Sequence, residues 1–110
     1  MITRYAMFEG SVPADKEDAF RAAVRAELVP KWRAFPGARA VRVGFTVARD
    51  DGAPAFPLIL AIDYDDRAAV ETALASPVRA ESRAATESVL ARFFTGRIHH
   101  HVTEAESFAP

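Results

Sequence analysis

Apolar residues alternate or run together over Ile2 to Glu9, where Ile2, Tyr5, Met7 and Phe8 are strand-favouring types. The pattern predicts a first strand, ended by Gly10, Ser11 and Pro13. From Asp15 the period changes. Phe20, Ala23, Val24 and Leu28 recur at helical spacing, with Asp15, Glu17 and Asp18 in the first turn. Pro30 should interrupt the hydrogen bonding of this helix, because it lacks an amide proton and clashes with the preceding turn. Trp32 and Phe35 extend the apolar face, and Pro36-Gly37 should end it. Ala38 to Ala48 reads as a second strand, with Val41, Val43, Phe45 and Val47 opposite Arg42, Gly44 and Thr46. Arg49 to Pro54 is a polar, hairpin-type connection. Phe56 to Tyr64 is a third strand, with Leu58, Leu60 and Ile62 opposite Ile59, Ala61 and Asp63. Asp65 or Asp66 should cap a short helix bearing Val70, Ala73 and Leu74, which Ser76-Pro77 breaks. A longer helix follows from about Val78, with Ser82, Ala85, Val89, Leu90 and Phe93 on one face. Gly96 should end it, and a fourth strand begins near Arg97. The residues after Glu104 read as an arm or a frayed end.

The order is β-α-β-β-α-β, an α+β class and the split βαβ arrangement of the ferredoxin-like fold. It predicts a four-stranded antiparallel sheet with the helices on one face, as one domain over 1–110. Strands one and three are apolar on both faces: Tyr5 and Met7 against Ala6 and Phe8, Leu58 and Leu60 against Ile59 and Ala61. A strand with one wet face should alternate apolar with polar. Each large side chain left in water forfeits about 1.5–3 kcal/mol. A second copy packed sheet to sheet covers the face the helices leave bare, so a homodimer is expected.

Composition narrows the function. Hydrophobic residues are 50% of the chain, charged residues 26%, and the net charge is -1. No basic excess stands ready to neutralise phosphates, so nucleic acid is not an expected partner. No apolar run approaches the ~20 residues of a membrane span. The N-terminus goes directly into a strand pattern, so no signal peptide is expected. Cysteine is absent, which excludes disulfides, thiolate nucleophiles and Cys-based metal sites. A cytoplasmic location is the expectation.

Pro30-Lys31-Trp32-Arg33-Ala34-Phe35-Pro36-Gly37 resembles the helix-one ending of the EthD-like proteins, named for ethyl tert-butyl ether degradation. Ala73-Leu74-Ala75-Ser76-Pro77 resembles the break after that family's short helix, and Asp63-Tyr64-Asp65-Asp66 its strand-three exit. Met1-Ile2 with Phe8 is also similar to the start of the stress-responsive A/B barrel domains. Both groups lie in the dimeric α/β-barrel superfamily. The resemblance implies a ferredoxin-like protomer and a face-to-face dimer, the dimeric α/β barrel. One departure matters. The EthD-like pattern often places a histidine two residues before the helix-one proline, and here that position is Leu28. A role that depends on that histidine does not carry over. Superfamily relatives include cofactor-free monooxygenases, cyclases, an isomerase and haem enzymes, and fold does not choose among them.

All three histidines stand together in Arg97-Ile98-His99-His100-His101-Val102. In a strand His99 and His101 share one face, and His100 lies with Ile98 and Val102 on the other. Residues two apart have Cα atoms about 6.5–7 Å apart, so two imidazoles can converge on one metal, anion or substrate oxygen. Zinc needs a third ligand, from Asp63 or a partner chain. Metal binding, acid–base work and a purely structural pair therefore remain open for His99 and His101. The catalytic expectation falls on these two, without metal or cofactor. Arg42 and Asp63 are the expected substrate-binding pair on the sheet face away from the helices, or else an intersubunit salt bridge or a solvated strand end. His100 is expected to be a buried, hydrogen-bonded core residue. Arg4 and Tyr5 face opposite ways on strand one. There is no glycine-rich phosphate loop, serine elbow or H-E-x-x-H. The functional expectation is a small, largely apolar organic ligand in a cleft between sheet and helices. Histidine-assisted oxidoreductase, isomerase or cyclase chemistry is one form of it. A non-catalytic, stress-associated binding homodimer is the other.

Overall fold

The computed structural model describes residues 1–110. Its elements are β1 (Ile2–Ser11), α1 (Glu17–Ala23), a π-helical turn (Val24–Leu28), α2 (Val29–Arg33), β2 (Ala40–Phe45), β3 (Leu58–Tyr64), α3 (Arg67–Leu74), α4 (Pro77–Phe93) and β4 (Thr95–Glu104). A single 3-10 turn, Ala14–Lys16, precedes α1. The four strands form one antiparallel sheet in the order β2-β3-β1-β4. This is the ferredoxin-like topology, with the helices packed on one face. No helix is long and apolar enough to cross a membrane.

Register assigns the faces. Ala6 pairs with Leu60 and His100, and Phe8 with Leu58 and Ile98. These side chains therefore point one way, toward the helices, with Ile62 and Tyr64. The core joins them to Phe20, Val24, Leu28 and Trp32 from the first helical layer, and to Val70, Ala73 and Val89 from α3 and α4. Tyr5, Met7, Ile59, Ala61 and Asp63 point the other way, with His99 and His101.

Proline acts on helix one as expected. The chain widens into a π turn just before Pro30, and the Val29 amide reaches back to the Val24 carbonyl. Widening accommodates the missing donor and the ring's clash with the turn before it. Pro30 then sits in the first turn of α2, where its lack of an amide does no harm. Helix ends at Arg33, and Gly37 takes a positive φ of 78° in the turn that follows. Asp66 caps α3, its carboxylate accepting from the Ala69 amide at 2.8 Å.

All four strands differ in their bounds from the sequence pattern: β1 runs on through Gly10 to Ser11, β3 starts at Leu58 and not Phe56, and β2 and β4 also shift. β2 is shorter than Ala38 to Ala48, and Val47 lies outside it, 88% exposed. β4 begins at Thr95, ahead of Gly96, because Gly10 and Gly96 are cross-strand partners that extend the β1–β4 ladder to Ser11–Thr95.

His100 also differs. It faces the helix side, as alternation requires, but it is not a buried core residue. β4 is an edge strand that the helices do not fully cover. Ile98 still packs on the core, His100 is exposed, and Val102 is 47% exposed.

Candidate functional site

A cavity of about 490 Å³ opens between the sheet and the helices. Its floor is the helix-facing side of β1 and β3: Ala6, Phe8, Leu60 and Ile62. Trp32, Phe35 and Leu90 add apolar walls. The Pro30 break thus serves the site, because the segment after it carries Trp32 and Phe35.

One side of the cavity is polar. Arg4 and Tyr64 lie on the same face of the sheet as the apolar floor, His100 comes from β4, and Arg79 and Arg83 from α4. Ser82 and Thr86, both buried, bring hydroxyls from the same helix face. Burial holds the Arg4 guanidinium below the usual arginine range, and the nearby charge of Arg79 adds to this. Burial raises the Tyr64 phenol, so it remains a protonated donor at neutral pH. Partial desolvation where the ring meets the cavity wall also pushes His100 below its ordinary value of 6.5, although the residue is open to solvent on its other side. Arg4, Arg79 and Arg83 add to that effect, and the Tyr5 main chain opposes it. A neutral imidazole at pH 7 follows, able to accept a proton.

The residues expected to carry the site lie across the sheet from this cavity. His99 Nε2 is 2.7 Å from Glu9 Oε1, and its ring meets Phe56 edge-on at 6.4 Å. Arg97 also donates to Glu9 at 3.3 Å. His99, then Arg97, holds the Glu9 carboxyl below its usual range. An ionised Glu9 accepts, so Nε2 of His99 carries the proton. His101 pairs in register with Tyr5 and is exposed.

Arg42 and Asp63 do come together, within one chain. Nη2 of Arg42 donates to Asp63 Oδ1 at 2.9 Å, and Nη1 donates to Oδ2. Thr3, wholly buried beside them, donates to Oδ1 at 2.7 Å. Arg42 is the main reason the Asp63 carboxyl lies below the usual carboxylate range. This pair does not converge with the histidines. Two strand spacings, about 10 Å, separate β4 from β3, and Tyr5 of β1 stands between. No group of three His, Cys, Asp or Glu side chains gathers that could hold a metal ion.

The polar residues of the cavity had a sequence signal. Arg4 occupies the same strand face as Ile2, Ala6 and Phe8, and Tyr64 the same face as Leu58, Leu60 and Ile62. A charge within a core-facing apolar series is costly unless something answers it. Arg79 has no such signal, since its strand partner across the cavity is set only by the packing of α4.

No protein-family model and no curated protein sequence matches the chain. Solved structures share its fold. An ethyl tert-butyl ether (EthD) family protein from Bacillus halodurans superposes with a TM-score of 0.70 at 23% identity, over 96% of this chain and 99% of that one. A dimeric protein of unknown function and ferredoxin-like fold from Bacteroides fragilis gives 0.66 at 16% identity, over 94% and 95%. An antibiotic biosynthesis monooxygenase gives 0.62 at 20% identity, over 97% and 100%. The fold is therefore the one that the EthD-like resemblance implies.

Proposed function

We propose that this protein is a homodimer that binds a small, largely apolar organic molecule in the cavity between sheet and helices. The observation that carries the reading is the cavity itself. Its volume of about 490 Å³ lies within the roughly 300–1,000 Å³ of small-molecule sites. It has the expected make-up too, an apolar floor with a few convergent polar groups. The dimer rests on the outer sheet face, where Tyr5, Met7 and Ile59 stand only partly buried in the single chain. The dimeric description of the Bacteroides fragilis protein is in keeping with it.

Within this reading His100 is the histidine that serves the ligand. Neutral and at the cavity wall, it is placed to take a proton from a bound molecule. Proton removal beside a guanidinium is a step common to cofactor-free oxidoreductase, isomerase and cyclase chemistry. The non-catalytic alternative uses the same cavity and leaves the ligand unchanged. A competing proposal keeps His99 and His101 as the catalytic pair on the outer face, with Arg42 and Asp63 binding substrate. The His99–Glu9 hydrogen bond favours it, since a carboxylate that orients an imidazole is a recurring catalytic arrangement.

Fluorescence of N-phenyl-1-naphthylamine separates the two. This neutral apolar probe should bind, and Ala6→Phe, which fills the cavity floor, should weaken binding by about tenfold or more. His99→Ala and His101→Ala should leave binding within about twofold. Loss of binding in the two histidine variants, with Ala6→Phe unaffected and folded by circular dichroism, would place the ligand on the outer face.

A further inference from the structure

The cavity is strongly one-sided in charge. Arg4, Arg79 and Arg83 border it, and the only carboxylate among its lining residues is Glu87. Glu87 is engaged with Arg83, 3.9 Å away one helical turn earlier. None of the ion pairs of the protein includes Arg4 or Arg79, and neither side chain makes a hydrogen bond within it. Arg4 is nevertheless partly buried on the core face of β1. A partly desolvated cation without a counter-charge is unfavourable, and a second cation nearby makes it more so.

The position of Arg79 points the same way. It lies in the first turn of α4, a helix of 17 residues whose first turn holds no acid. The helix dipole is positive at that end and disfavours a cation there. Two arginines, a helix start and His100 therefore face one cavity wall with nothing negative to balance them. Arginine is also the side chain best suited to oxyanions, because its planar fork donates two parallel hydrogen bonds.

We propose that the ligand of this cavity is an organic oxyanion, a carboxylate, sulfonate, phenolate or enolate carried on an apolar body. Arg4 and Arg79 bind the oxyanion, and the apolar floor of Ala6, Phe8, Leu60 and Ile62 takes the body. This deepens the cavity reading given above and rests on it. Bound this way, the charged group lies beside His100 and the buried hydroxyls of Ser82 and Thr86.

Two probes that differ in one group test it. 1-Anilinonaphthalene-8-sulfonate is N-phenyl-1-naphthylamine with a sulfonate added. Arg4→Met and Arg79→Met should each weaken the sulfonate probe by about tenfold or more, while the neutral probe stays within about twofold. Arg39→Met, whose exposed guanidinium is held by Asp65 beside the β2 edge of the sheet and does not line the cavity, should change neither. Arg79 is exposed and its replacement leaves the core intact, so that variant decides the matter if Arg4→Met folds poorly. Equal binding of the sulfonate probe by wild type and Arg79→Met, with the neutral probe still excluded by Ala6→Phe, would overturn the oxyanion assignment and leave the cavity reading standing. If Ala6→Phe excludes neither probe, the cavity reading fails and the oxyanion assignment fails with it.

Discussion

Ile59→Asp is expected to turn the proposed homodimer into a monomer without unfolding it. Ile59 lies on β3 between Met7 of β1 and Gly44 of β2, on the face turned away from the helices. Met7, Tyr5 and buried Ala61 surround it, so the substitution places a carboxylate in the middle of the apolar patch. In a two-fold interface each substitution enters twice. Losing the burial of one isoleucine costs about 1.5–3 kcal/mol, and two such losses weaken the dimer by roughly a thousandfold. Desolvating the new carboxylates adds to this. The protomer itself should stay folded, because its core lies on the other face of the sheet. Light scattering should give about twice 12.0 kDa for the wild type and 12.0 kDa for Ile59→Asp. Val47→Asp, in an exposed loop, should remain dimeric. An unchanged dimer mass for Ile59→Asp would show that the outer face is not the contact.

Gly96→Val is the substitution expected to damage the fold most. Gly96 and Gly10 face each other across β1 and β4, with φ of 154° and 156°. A Cβ on Gly96 would meet the Glu9 carbonyl oxygen at 2.0 Å and the Gly10 Cα at 2.7 Å. Both neighbours are backbone, so neither can rotate away. Strain at a φ suited to glycine costs about 1–3 kcal/mol, and forcing the strands apart adds about as much again. The β1–β4 ladder carries every histidine, so its end opening should also displace His99 from Glu9. A thermal melt should show a loss of roughly 3 kcal/mol or more. A melt within a degree of wild type would mean the strand ends separate freely and β4 is held elsewhere.

Much of the fold was legible because two periods carry it. Alternation over Ile2 to Glu9 and Phe56 to Tyr64 assigned both sheet faces, and apolar residues on both pointed to a second copy. Pro30, Pro36-Gly37 and Ser76-Pro77 act through local backbone chemistry, and their effects are where the chain places them. Alternation also put His100 on the helix side and His99 with His101 opposite. What it could not supply was which side holds the cavity. That depends on how far the helices extend over the edge strand β4, a matter of tertiary packing. The helices stop short, so His100 is a wall residue and not a core residue. The arginines of the cavity come from β1 and α4, more than seventy positions apart, and no local pattern links Arg4 to Arg79. Arg42 and Asp63, on neighbouring strands of the sheet, were easier to pair than to interpret: register brings them together, and their contact within one chain leaves their role to the binding tests.

The three histidines make a direct test of the ligand's location. Their ring nitrogens can be followed one by one in an ¹⁵N-labelled sample, using single His→Gln variants for assignment. In the free protein His100 should titrate below the ordinary histidine value of 6.5, because partial desolvation at the cavity wall and the neighbouring guanidiniums disfavour its charged form. Adding 1-anilinonaphthalene-8-sulfonate should shift the His100 resonances and raise its titration point, since a bound anion favours the imidazolium. His99 and His101, across the sheet, should not move. Shifts at His99 and His101 with His100 silent would put the ligand on the opposite face and contradict the account.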